Sequence, residues 1–302
     1  MDISTRDPTV FPPLGQPSPV ATADALPSDA IARAAEDLGV KKAHLDTVTL
    51  FGLAVLGGAF VAFGGLFYTI ALAGADGHMA YGMTRLVSGL VFSLGLILVV
   101  VAGAQLFTSD CLLVMAWASG RLTFREMLRV WTIVWVGNLV GAVGTALLSY
   151  LSGQHEFGHG LVGDAALHVA VAKSSLPIAR AFFLGILCNV LVCLAVWLAL
   201  GARSVGDKIL AVLFPVAAFV AAGFEHCVAD MYFMPLGLLI EHAGSDVFHD
   251  QLSALGHAGR HIPIGGFLAN LAAVTLGNWV GGAILVGATY WLVYRRNAHD
   301  RA

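Results

Sequence analysis

Two polar interruptions, each set inside an apolar stretch, constrain this chain more than any other feature. Gly103-Ala104-Gln105-Leu106-Phe107-Thr108-Ser109-Asp110 and Gly223-Phe224-Glu225-His226-Cys227-Val228-Ala229-Asp230 both read Gly-x-(Gln/Glu)-x-x-x-x-Asp, and 103 to 223 is an offset of 120 residues. Ionisable groups inside hydrocarbon are costly and by default line a path or a site. Recurrence at a fixed offset marks two matching halves.

The surroundings are lipid. Of 302 residues, 58% are hydrophobic and only 12% are charged. A soluble domain of this length needs more charge on its surface. A net charge of -3 provides no basic field, so nucleic acid is excluded as a partner. Cys111, Cys188, Cys193 and Cys227 all fall in apolar segments without metal-site spacing, and read as small apolar filler. The N-terminus is polar and proline-rich through Pro27, which is not a signal peptide; the first apolar span is expected to direct insertion.

Six apolar stretches, 47–73, 86–118, 127–151, 177–201, 208–240 and 263–293, are long enough to cross a bilayer roughly 30 Å thick. The second and fifth contain the interruptions. Each is predicted as a half-helix, a break and a second half-helix, because irregular backbone at membrane depth needs shielding by protein or a cavity. Arg6, Arg33, Lys41, Lys42, Arg121, Arg125, Arg129, Arg203, Lys208, Arg295, Arg296 and Arg301 fall on one side. Only Arg85, Lys173, Arg180 and Arg260 fall on the other, which places both termini in the cytoplasm.

The expected organisation is a disordered cytoplasmic tail over 1–26, an amphipathic interfacial helix over 27–46, a six-span transmembrane domain over 47–295 and a cytoplasmic tail over 296–302. Pro27-Ser28-Asp29 is a helix start, and Ile31, Ala34, Ala35 and Leu38 share an apolar face. Gly137-Asn138-Leu139-Val140-Gly141 in span three matches Gly277-Asn278-Trp279-Val280-Gly281 in span six, with small residues at spacings that let helices approach. Three spans per half force the halves into opposite orientations. The predicted fold is therefore an all-α membrane protein with six transmembrane helices in an inverted 3+3 repeat, helices two and five broken, and the site where the breaks meet.

His226 is the leading site residue, the one histidine well inside a span, able to donate and accept hydrogen bonds or carry a proton. Glu225 and Asp230 are expected to point away from the path and accept backbone N–H groups freed at the break, with Gln105 and Asp110 doing the same in the first half. Gly103 and Gly223 open the two breaks. Thr108 is the hydroxyl best suited to meet an anionic or carbonyl oxygen, and Ser109 suits helix capping. Asn138 reads as packing glue, while Asn278 is open between glue and pore. Lys173 is either a vestibule cation or a lysine snorkelling to lipid phosphate. The histidines between spans, His155, His159, His168, His242, His249, His257 and His261, read as polar loops. No phosphate loop, zinc-protease or nucleophile-elbow motif is present. His226 and Asp230 have ligand-like spacing without a third and fourth ligand, so no metal, cofactor or enzymatic reaction is expected.

At the interruptions the chain resembles the formate/nitrite transporter family. The resemblance runs through Gly89-Leu90-Val91-Phe92-Ser93-Leu94-Gly95-Leu96, Leu106-Phe107-Thr108-Ser109, Gly185 to Trp197, Asp207-Lys208 and Phe214 to Tyr232. It covers roughly 27–295. It implies a homopentamer of aquaporin-like protomers in the inner membrane, each with its own pore for small monovalent anions such as formate, nitrite, hydrosulfide or acetate. His226 matches the central pore histidine, Thr108 the threonine of the span-two loop, Asn278 the asparagine near the histidine, and Lys173 the vestibule lysine. Leu96 and Phe219 match apolar constriction residues, with Phe92 beside them. Asp230 departs from the asparagine common at its position, and beside His226 it would stabilise a charged imidazole. The mechanism this suggests is proton-coupled passage of the anion as its neutral acid. A neutral-solute channel for water, ammonia or glycerol is the alternative; an intramembrane enzyme and a structural scaffold are further rivals.

Overall fold

Apolar runs without proline over 47–72, 124–151, 178–201 and 264–294 satisfy their backbone internally as helices, as hydrocarbon demands. The structure, a computed structural model, describes residues 24–257 and 259–296; the greater part of each expected terminal tail lies outside them. In chain order the helices are α1 (Ser28–Ala43), α2 (Thr47–Leu72), α3 (Tyr81–Phe92), α4 (Leu94–Ala102), α5 (Phe107–Asp110), α6 (Val114–Ala118), α7 (Phe124–Leu151) and α8 (Leu161–Ser174). They continue with α9 (Ile178–Gly201), α10 (Val205–Ala221), α11 (Cys227–Ala243), α12 (Asp246–Ala254), α13 (Ile264–Trp279) and α14 (Thr289–Tyr294), with a π-helix, Val280–Ala288, joining the last two. There is no strand among the described residues.

Five helical stretches are long and apolar enough to span a membrane: Thr47–Leu72, Tyr81–Ala102, Phe124–Leu151, Ile178–Gly201 and Ile264–Tyr294. Polar caps mark where several of them begin. Asp46 accepts from the Val48 and Thr49 N–H groups, and Thr123 with Glu126 and Ser204 with Asp207 form reciprocal capping boxes.

The two broken spans are unequal. Tyr81–Ala102 is already of full crossing length, and only a shorter apolar piece, Phe107–Ala118, follows its break. The fifth span does divide evenly, into α10 and α11 of 17 residues each. Both spans were expected to divide at their interruptions, and the first break sits late in its span.

Small residues bring backbones together at matching places. A Cβ on Gly141 of α7 would lie 1.9 Å from the Val55 carbonyl oxygen of α2, and one on Gly281 would lie 2.2 Å from the Ile186 carbonyl oxygen of α9. Such contact distances admit only glycine, and they seat Asn138 and Asn278 within reach of the neighbouring backbone.

Two helices precede the spans. α1 lies against α6, α7, α9 and α14. Its buried Glu36 accepts from Ser119 Oγ at 2.5 Å and from Arg295 Nε at 3.0 Å, so the only carboxylate on that inner face is compensated. α8 packs on α11, α13 and α2, and sequence analysis took it for loop. One of the expected polar-loop histidines, His155, is buried, stacked on Tyr150 with ring centroids 5.1 Å apart and touched by the fully buried Phe248 of α12.

Candidate functional site

Each break begins with a glycine in the left-handed region, Gly103 at φ 85° and Gly223 at φ 75°, which ends the preceding helix without strain on a side chain. The following peptide groups lose their helical partners and must find others. An asparagine does this work in each half. Asn138 Oδ1 accepts from Phe107 N at 2.9 Å, while its Nδ2 donates to Gln105 O at 2.9 Å and Ala54 O at 2.7 Å. Asn278 Oδ1 accepts from Cys227 N at 2.9 Å, while its Nδ2 donates to Glu225 O at 3.0 Å and Gly185 O at 2.7 Å. Gln105 N adds a bond to Leu53 O at 3.1 Å, and Glu225 N to Leu184 O at 3.4 Å.

The scaffold role expected of the acidic residues therefore belongs to the asparagines. The reason is chemical: one amide satisfies an orphan N–H and two orphan carbonyls, whereas a carboxylate only accepts. Asn278, open between glue and pore in the sequence, has both amide hydrogens and its oxygen engaged by the backbone. Buried carboxylates need a full opposite charge, and here each break receives a lysine. Asp110 pairs with Lys42 of α1. Lys173, at the end of α8, lies 2.9 Å from Glu225 Oε2 and 2.8 Å from Asp230 Oδ1, with only 15% of its side chain exposed. It is neither an open vestibule cation nor a snorkelling one. Gln105 contributes its main chain to the break, and Ser109 Oγ donates back to Leu106 O at 2.9 Å rather than capping a helix.

Between the breaks, Thr108 Oγ1 lies 3.0 Å from His226 Nε2. His226 is the N-cap of α11, where its Nδ1 accepts from Ala229 N at 3.1 Å. With Nδ1 held as an acceptor, the neutral ring carries its hydrogen on Nε2 and donates it to Thr108. A doubly protonated ring would place a hydrogen against the Ala229 N–H and lose the cap. The threonine hydroxyl thus keeps its own hydrogen for a further acceptor.

An aromatic column leads to this pair. Phe219 stacks on His226 with centroids 6.0 Å apart, Phe92 meets Phe219 edge-on at 6.1 Å, and Tyr68 meets Phe92 edge-on at 6.2 Å. Phe92, Phe219 and Leu96, which follows Phe92 by one helical turn, are all buried. Arg85 holds the carbonyl end of α10, donating to Val220 O at 2.6 Å, Ala221 O at 3.0 Å and the Tyr68 hydroxyl at 3.2 Å. In the sequence Lys42 falls at the end of the expected interfacial helix and Arg85 among the charges of the opposite side, neither with an evident partner. The 131-residue offset from Lys42 to Lys173, shared by Leu53 and Leu184, was the signal that would have found the first. Taken together, the site is a buried hydrogen-bonded pair, Thr108 and His226, at the end of a run of buried aromatic side chains.

Known proteins are similar to this chain along most of its length. The family model described as Formate/nitrite transporter matches residues 29–292. The chain is 43% identical over 278 residues to the formate channel FocA of Escherichia coli (strain K12), covering 91% of this chain and 97% of FocA. It is 36% identical over 211 residues to the nitrite transporter NirC of Salmonella typhimurium, covering 68% of this chain and 70% of NirC. A solved structure of a pentameric formate channel with formate bound superimposes with a TM-score of 0.76 at 40% identity, over 82% of this chain and 97% of that one. By a family match along nearly its whole described length, by this identity and by this fold, the chain is a multi-pass membrane protein belonging to the formate/nitrite transporter family.

Proposed function

We propose that the chain passes small monovalent anions, formate or nitrite first among them, through a pore centred on Thr108 and His226. Family membership makes it a channel or transporter and not an enzyme. The observation that carries the reading is the Thr108–His226 pair, two polar groups bonded at 3.0 Å where both breaks meet, at the end of a buried apolar column. The fold reading that goes with it is six spans in an inverted, aquaporin-like 3+3 repeat. It is supported by matched asparagine clamps, matched lysine–carboxylate pairs and matched glycine contacts in the two halves. The protomers assemble as a homopentamer in the inner membrane with both termini in the cytoplasm; the lysine and arginine distribution and the pentameric relative support this. α1 lies at the cytoplasmic interface.

A bare anion entering the column formed by Phe92, Leu96 and Phe219 loses hydration worth several kcal/mol. Protonation in transit removes most of that barrier, and the neutral acid crosses the constriction. Thr108 donates its free hydrogen to the passing oxygen, and His226 sets the polarity of the point or relays the proton. Asn278 acts on the path through the backbone it clamps. Lys173 acts within a cluster with Glu225 and Asp230 that orders the outer mouth, and Arg85, which has no carboxylate partner among the described residues, adds a positive charge there.

The test is a flux panel of formate, nitrite, hydrosulfide and acetate in proteoliposomes across pH, with proton uptake followed for wild type and His226→Ala. The reading expects formate or nitrite to cross fastest and to carry protons with them. Unchanged coupling in His226→Ala sinks the relay; selective passage of glycerol or water sinks the anion pore.

A further inference from the structure

One buried amide joins the two breaks, and it belongs to neither asparagine clamp. Asn189 of α9 is fully buried. Its Nδ2 donates to Thr108 O at 3.1 Å and to Asn278 O at 2.6 Å, reaching the first break and the clamp of the second with one group. Cys193, one turn further along α9, directs its thiol to the same Thr108 carbonyl at 3.5 Å. The carbonyl of Thr108 is thus held by two donors from one helix. Opposite them stands Gly282 in the π-helix, where a Cβ would lie 2.2 Å from Asn189 Nδ2 and 2.8 Å from Cys193 Sγ. The wound-out helix and the missing side chain make room for this amide, and π-helical turns inserted in α-helices concentrate at functional sites.

The position is asymmetric in an informative way. By the 131-residue offset that relates Leu53 to Leu184 and Lys42 to Lys173, Asn189 corresponds to Gly58, which merely lets α7 approach. Only the break that presents the Thr108 hydroxyl receives a side-chain donor here, and the donor comes from the opposite half. Thr108 sits in α5, the single α-turn that opens the Phe107–Ala118 helical run before it tightens to a 3-10 turn over Cys111–Leu113.

We infer that Asn189 is a positioning residue: it fixes the Thr108 peptide so that the hydroxyl stays against His226 Nε2, and thereby sets the selectivity of the passage. The inference rests on the pore reading above for its functional half, while its geometric half stands without it. Replacing Asn189 by leucine keeps a branched side chain of four heavy atoms and removes both donations, and Asn189→Ala, smaller and without a donor, serves where the leucine variant does not fold.

Two measurements test it. The first is a high-resolution structure of the variant. The expected result is a Thr108–His226 separation beyond hydrogen-bond range, above about 3.5 Å, while the Phe107 N to Asn138 Oδ1 bond persists. A retained Thr108–His226 contact overturns the inference, whichever solute the protein carries. The second is a double-mutant cycle in formate flux with Thr108→Val. Two lost hydrogen bonds correspond to a roughly tenfold fall for Asn189→Leu in the wild-type background. In the Thr108→Val background the same change is expected to cost less than about twofold, because the group it positions is gone. Equal losses in both backgrounds show a merely structural asparagine and refute the positioning role. Absence of formate flux in wild type refutes the pore reading instead, and the structure then decides the inference alone.

Discussion

Asn278→Ala and Asn138→Ala are expected to destabilise the protein by the same amount. Each substitution strands one buried backbone N–H and two buried carbonyls, at 2.9, 3.0 and 2.7 Å from Asn278 and 2.9, 2.9 and 2.7 Å from Asn138. Leaving a buried group unpaired costs about 1–3 kcal/mol, so three sum to at most about 9. Interhelical bonds within membranes have averaged nearer about 0.6 kcal/mol each, because the unfolded chain in lipid also finds partners; three then sum to about 2. A value near 4 kcal/mol lies between these limits and corresponds to a fall of roughly 10 °C in melting temperature. The assay is thermal unfolding of the detergent-solubilised protein, followed by size-exclusion fluorescence. Asn278→Ala with wild-type stability but impaired formate flux would show that the amide faces the path, and would refute the clamp assignment.

Lys42→Met strands Asp110 as an uncompensated buried carboxylate, with an expected loss of about 3–5 kcal/mol; adding Asp110→Asn restores most of it in the same unfolding assay. Gly58→Ala brings a methyl to 2.0 Å from the Asn138 carbonyl oxygen and lowers folded yield, whereas Gly52→Ala, with open space around its Cβ position, leaves it unchanged. Burial holds the His155 imidazole below its usual 6.5, a shift that Glu156 only partly offsets. The protonated ring is thus disfavoured in the fold, and His155 contributes stability above pH 6.5 that is lost as pH falls below it. Hydrogen-exchange protection factors in Gln154–Glu156 and Asp246–Ala254, which remove the intrinsic pH dependence of exchange, are expected to fall between pH 7.5 and 5.5 in wild type and to stay constant in His155→Phe.

Much of this arrangement is legible in the chain, for identifiable reasons. Spans such as 127–151 and 177–201 are near-continuous apolar runs, the first preceded by the Thr123–Glu126 capping box and the second by Pro177, and their helices end within a few residues of those limits. The breaks announce themselves because Gly103 and Gly223 each open a run of several polar residues inside an apolar stretch. Thr108 and His226 stood out as polar groups in apolar surroundings, and the structure brings them together. What the sequence left open were partners. Whether Asp230 meets a peptide N–H or a lysine depends on α8, whose Leu161–Ser174 pattern is too weakly amphipathic to distinguish from loop without its counterpart α1. Asn278 reads alike as clamp or pore group, because an amide serves both and only the positions of Gly185 O and Glu225 O decide. Asn189 lies in a uniformly apolar helix, and nothing along the chain tells which face of that helix meets the break.

The pairing of Thr108 with His226 as the point that handles the anion is tested most directly by exchange of labelled formate in proteoliposomes, with osmotic swelling measured on the same preparation. Thr108→Val and His226→Leu are each expected to lower formate exchange by about tenfold or more, the loss of one to two hydrogen bonds at the barrier, without raising glycerol permeability. Formate exchange at the wild-type rate in both variants would contradict the account.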